Sequence, residues 1–127
     1  MPQDSKPPVY KSFHSTYQAD KNRFYLTAQI EDDLSGIEHS TVYLKNPSET
    51  LQKGSSFSWN NTTNRYEAYI NLGQYSEKGE WKISFLYSKD KAGNTKHYFP
   101  GNTDFSNIHI TGNLNVTDNS PTYEIDT

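Results

Sequence analysis

Two sets of residues have types and spacings that could do chemistry. Asp4, Asp32, Asp33 and Asp90 come from three separate loop-forming segments, and hard oxygen donors gathered from several loops are what Ca²⁺ takes, about six to eight at a time, with backbone carbonyls and water completing the shell. Trp59 and Tyr69 stand near Tyr66, Asn60, Asn61 and Arg65. Rings beside amide and guanidinium groups suit the two faces of a sugar, and Trp59, Asn61 and Tyr69 are the candidate contacts. Each set also has an ordinary structural role. Asp and Asn hold turns through their own side chains; Tyr66 runs in phase with Ala68 and Ile70 toward a core, whereas Tyr69 faces the other way.

Little else in the chain points to chemistry. His14, His39, His97 and His109 are dispersed, none at a ligand spacing from another His or an acid, and solvated strand positions account for them. No G-x-S-x-G, H-E-x-x-H or phosphate-cradling glycine loop occurs. Asp32 and Asp33 are adjacent, so an extended chain sends them to opposite sides, unlike the facing carboxylates of glycoside hydrolysis. Nothing combines a nucleophile, a base and an oxyanion donor, and the chain reads as non-catalytic. Zero cysteines exclude disulfides and thiolate metal sites. Ca²⁺ is the one cofactor the sequence raises.

The elements that would position these residues are strands. In residues 79–99, Trp81, Ile83, Phe85 and Tyr87 alternate with Lys82, Ser84 and Leu86, which predicts a strand with the first four buried. Asp90-Lys91-Ala92-Gly93-Asn94 then supplies a tight turn, with Gly93 and Asn94 both tolerant of positive φ, before 95–99 resumes a strand. The segment 23–31 alternates with Phe24, Leu26, Ala28 and Ile30 inward. Further strands are expected at 9–17, 39–45, 55–60, 65–71 and 105–111, with Tyr75 in a corner position before the penultimate strand. Seven or eight antiparallel strands at this spacing predict an all-β Greek-key sandwich over 9–112, flanked by linkers at 1–8 and 113–127. If strand directions alternate, the loops after the second and sixth strands emerge at the end where the chain enters, which would gather Asp4, Asp32, Asp33 and Asp90.

Composition narrows the partners. The 127 residues suit one domain, and with 31% hydrophobic residues but 14% aromatic and ten Tyr, the core has to be built from rings. The net charge of −3 is scattered over the chain, which argues against nucleic acid and anionic lipid. No apolar run approaches the ~20 residues of a membrane span, and the N-terminus lacks an apolar signal core, so the chain reads as a piece of a longer protein. Asp4-Ser5-Lys6-Pro7-Pro8 is echoed near the other end by Asp118-Asn119-Ser120-Pro121-Thr122, as if the chain ran from one linker to the next in a tandem array.

Asp32-Asp33-Leu34-Ser35-Gly36-Ile37, Val42-Tyr43-Leu44 with Asn46-Pro47-Ser48, Gln74-Tyr75-Ser76-Glu77-Lys78-Gly79-Glu80-Trp81 and Asp90-Lys91-Ala92-Gly93-Asn94-Thr95 together resemble a bacterial immunoglobulin-like repeat. The resemblance implies a monomeric spacer or adhesive module of a large secreted or cell-surface protein, whose partners are neighbouring repeats and, in a second reading, a glycan or host surface protein. Asp118-Asn119-Ser120-Pro121-Thr122-Tyr123 is also similar to part of the linker of cadherins, which place Ca²⁺ between successive sandwiches. That similarity implies an ion stiffening the junction. The linkers here are not Thr-rich, as those of such repeats are.

Overall fold

The computed structural model describes residues 6–32, 36–73 and 76–117. The chain is mostly strand. β1 (Val9–Gln18) turns through a short 3₁₀ segment, Ala19–Lys21, into β2 (Arg23–Glu31), with Asn22 at φ 52° making the reversal. β3 (Ile37–Lys45), β4 (Gln52–Ser56), β5 (Ser58–Asn60) and β6 (Arg65–Asn71) follow. Then come β7 (Gly79–Glu80), β8 (Lys82–Asp90), β9 (Thr95–Tyr98), the one-turn helix α1 (Thr103–Ser106), β10 (His109–Gly112) and β11 (Asn115–Val116).

The strands form two facing sheets and a small ribbon. One sheet has the order β10-β1-β2-β6-β5, the other β4-β3-β8-β9, and β11 pairs with β7. All pairings are antiparallel except β1 with β10, which run parallel. The core between the sheets takes Phe24, Leu26, Ala28 and Ile30 from β2 and Val42 and Leu44 from β3, as alternation demands. It is ring-rich: Tyr10 meets Phe57 and Tyr98 edge-on at 6.2 and 5.4 Å, and Phe24 meets Trp81 at 6.0 Å.

Several expectations are corrected. The predicted strand at 55–60 is two strands in different sheets, because Phe57 is buried at the crossover and turns the chain from β4 to β5. In β8 the buried face changes side: Tyr43 pairs with Phe85 but Leu44 pairs with Ile83, leaving Ser84 as a β-bulge. Trp81 and Ile83 point inward as expected, but beyond the bulge Leu86, Ser88 and Asp90 are buried, and Phe85 and Tyr87 face out. The expected strand at 105–111 is instead α1 followed by β10.

The packed unit also reaches into both presumed linkers. The Pro8 carbonyl accepts hydrogen bonds from the Ser88 and Tyr98 hydroxyls at 3.0 and 2.9 Å. At the other end Val116 is buried and the Trp81 amide donates to the Leu114 carbonyl at 3.0 Å. Tyr75 and residues 118–127 lie outside the described residues.

The buried tyrosines make the fold sensitive to alkali. Burial is the largest cause raising the Tyr10 hydroxyl above its ordinary 10.0, and Tyr98 and Tyr66 are raised for the same reason. An acid whose folded pKa is raised keeps its full stabilising contribution below the unfolded pKa, and the contribution falls as pH rises toward the folded value. From pH 10 upward Tyr10 alone therefore lowers stability by about 1.4 kcal/mol per pH unit. Urea unfolding between pH 9 and 11 should show this decline, and Tyr10→Phe should make it shallower even though it removes the 3.0 Å bond to the Tyr87 carbonyl. An equal slope in both proteins would contradict the assignment.

Candidate functional site

β5 is three residues long and pairs with only the first part of β6, residues 65–67. Before Ser58 the chain belongs to the other sheet, leaving β6 beyond Glu67 without a partner on that side, and a cleft of about 510 Å³ opens there. Trp59, Asn61 and Tyr69 all line it, with Glu67 between them. Trp59 is 50% and Tyr69 42% exposed. Trp59 is held edge-on against Tyr66 at 5.1 Å, and its Nε1 donates to Asn61 Oδ1 at 2.6 Å. Tyr69 lies beside Tyr25 at 5.2 Å, with the Arg23 guanidinium 4.2 Å from its ring centre.

Glu67 organises the polar side of this cleft. It accepts from the Tyr25 hydroxyl, from Asn60 Nδ2 at 2.9 Å and from Thr63 Oγ1 at 3.0 Å. Those donors, Tyr25 first, hold its carboxyl below the usual range. Desolvation and then Glu67 push the Tyr25 hydroxyl up to about 12. The cleft thus offers two exposed rings with a carboxylate fixed in its charged form.

Of the four candidate metal ligands, Asp4 and Asp33 lie outside the described residues. Asp32 and Asp90 stand in neighbouring loops, joined where the Lys91 amide donates to the Gly36 carbonyl at 2.9 Å. Each serves a turn. Asp32 Oδ2 accepts from the Gly36 amide at 2.9 Å; Asp90 accepts at 2.8 Å from the Asn94 amide on Oδ1 and from Asn94 Nδ2 on Oδ2. Asp90 is fully buried, which fits the tight hairpin between β8 and β9. Among the described residues no three His, Asp or Glu side chains are grouped to hold a metal ion.

The residues that alternation hid are on the outside of the β4-β3-β8-β9 sheet. Because of the Ser84 bulge, Phe85 and Tyr87 join Tyr43, His97 and Phe99 there in one ring cluster. The adjacent Phe85-Leu86 pair was the only local hint that the apolar face changes side. The other histidines remain dispersed: His14 bonds Thr111 Oγ1 at 2.7 Å, His39 lies 3.8 Å from Glu38, and His109 is exposed.

Among known proteins, residues 2–126 match a family described as a domain of unknown function, DUF7743. No curated protein and no solved structure matches the chain.

Proposed function

We propose that this chain, which belongs to the DUF7743 family, is a non-catalytic immunoglobulin-like module that spaces and displays other parts of a bacterial surface or secreted protein. The observation that carries the reading is where the chain enters and leaves. β1 begins beside the end of β2, pairing Val9 with Glu31, at the end that also holds Ile37 and Asp90. β11 lies beside β7, next to the Lys45–Lys82 pair at the opposite end. Modules joined through such ends line up in series. Strands of nine residues at about 3.3 Å each make every module add about 30 Å to the array.

The strand order supports the immunoglobulin-like part of the reading. β1-β2-β6-β5 against β4-β3-β8-β9 is the order expected of a Greek-key sandwich in which successive strand pairs alternate between sheets, with β10 added at the edge of the first. Calcium belongs to the same reading at the end where the chain enters, with Asp4, Asp32, Asp33 and Asp90 as donors. Small-angle scattering of two copies joined end to end tests both parts. The expected particle is extended, about twice the length of one module, and longer or stiffer in CaCl₂ than in EDTA. A side-by-side particle would sink the spacer reading. Identical curves and melting points in CaCl₂ and EDTA would remove calcium and leave the spacer.

A second reading, recognition of a glycan or host protein, is favoured by the cleft that unites Trp59, Asn61 and Tyr69. Its test is a glycan array, on which Trp59→Ala should abolish hits on neutral glycans, the kind a cleft holding the Glu67 carboxylate admits.

A further inference from the structure

The ring cluster on the outer face of the β4-β3-β8-β9 sheet is placed by the fold but not consumed by it. Tyr43 stacks on Phe85 at 4.7 Å and 19°. Phe85 meets Phe99 at 5.6 Å, and His97 lies 4.7 Å from Tyr87 and nearly parallel to Phe99 at 5.9 Å. Tyr43 is also fixed from its other side: it occupies the space above Gly54, where a Cβ would meet the ring at 2.5 Å. Rings held this way lose little freedom when a ligand arrives.

A shallow cleft of about 290 Å³ runs between the Tyr43–Phe85 and Tyr87–His97 pairs, with Thr41 beside it. It combines π faces with two phenol hydroxyls, a threonine hydroxyl and imidazole nitrogens, which suits the C–H face and the hydroxyl rim of a sugar. The outward-alternating positions of these four strands hold rings, small polar residues and lysines, with no aliphatic side chain and no Asp or Glu. Two carboxylates reach the rim of this face: Glu38, at a bulge and 3.8 Å from His39, the residue opposite Lys89, and Glu49, from the turn after β3, which is taken up by Lys45 at 3.2 Å and Lys82 at 3.8 Å. Lys89, one alternation beyond Tyr87, has no ion-pair partner among the described residues. In a chain of net charge −3, a face whose outward-alternating strand positions carry no acid and whose Lys89 has no ion-pair partner among the described residues is complementary to an anion.

We propose that this face binds an acidic polysaccharide, with a sugar ring stacked in the cleft against Phe85, Tyr87 and His97 and its anionic group directed to Lys89. The site goes beyond the spacer reading and differs in charge from the Trp59 cleft, where Glu67 would repel an acidic sugar.

Affinity electrophoresis of the whole chain in gels containing alginate (carboxylates), dextran sulfate (sulfates) or neutral dextran tests it. Retardation is expected in at least one of the two acidic gels, the responsive gel identifying the anionic group, and none in dextran. Binding should weaken about tenfold in Phe85→Ala and His97→Ala and be reduced in Lys89→Gln, with Trp59→Ala unchanged. His97 lines the cleft and is exposed, so its variant should stay folded and report on binding. Absence of retardation in both acidic gels overturns the proposal, as does binding that survives His97→Ala. Retardation lost only in Trp59→Ala also overturns it and moves recognition to the other cleft. A dimer in sedimentation equilibrium that Phe99→Ala disperses would show the face covered by a second copy, and overturns it too.

Discussion

Trp81→Ala should lower the stability of the module by about 3–5 kcal/mol, a large share of the roughly 5–15 kcal/mol that holds a domain of this size together. Trp81 is among the largest side chains in the core, only 1% exposed, and packs edge-on against Phe24 from the facing sheet. Its Nε1 also donates to the Glu77 carbonyl at 2.9 Å, so truncation opens a cavity and removes a hydrogen bond in one step. The neighbouring backbone ties in the last strand through the Leu114 carbonyl, so the damage should extend to β11. Urea unfolding followed by far-UV circular dichroism measures the loss, with Trp59 remaining as a fluorescent reporter of the outer cleft. Trp81→Phe should recover most of the packing but not the bond to Glu77. A loss under about 1.5 kcal/mol for the alanine variant would mean that the rings around the site close over the gap.

Gly112→Ala should be the second costly change. Gly112 has φ 113°, a conformation L residues rarely adopt, and a Cβ there would stand 2.1 Å from the Ser15 carbonyl oxygen and 2.5 Å from its nitrogen. The obstacle is backbone of the paired strand, which cannot swing aside as a side chain would. Gly93 is a built-in comparison: its φ is 97°, but nothing lies within 4 Å of the position a Cβ would take. Gly93→Ala should therefore cost only the conformational part, about 1–3 kcal/mol. Gly112→Ala should cost that plus the displacement of β10 from β1. Hydrogen exchange would show the difference directly, through loss of protection confined to residues near 109–112 at first. Equal costs at the two glycines would show that the strands have room to separate slightly.

How much of this was readable from the chain depended on whether the determining interaction was local. The alternation Phe24, Leu26, Ala28, Ile30 placed β2 and its buried face correctly, because a strand with regular partners on both sides keeps its phase. The run Asp90–Asn94 announced its hairpin because Asp90 and Asn94 make the turn through their own side chains. The Ser84 bulge was not readable: it is set by the register of β3 against β8, a pairing between residues some forty positions apart. That one extra residue moved Phe85 and Tyr87 from the expected core to the surface, and with them the second candidate site. Likewise Phe57 looks like any strand residue until two sheets are there for the chain to cross between. Trp59, Asn61 and Tyr69 could be grouped in advance because β5 and β6 are neighbours in sequence, joined by a turn rich in Asn. The parallel pairing of β1 with β10 joins the two ends of the fold, and no local pattern encodes it.

That parallel pair bears on what happens if the chain is stretched. β1 starts where the chain enters, and β10 runs the same way, followed by β11 at the far end. Tension applied through the two flanks would slide β1 lengthwise past β10 instead of peeling it away, so the rungs from Ser12–His109 to Ser15–Gly112 would share the load and give way together. Such a clasp resists pulling far better than an unzipping hairpin holding the same number of hydrogen bonds. In an array under drag, it would leave each bead folded until the force exceeded the strength of the whole ladder.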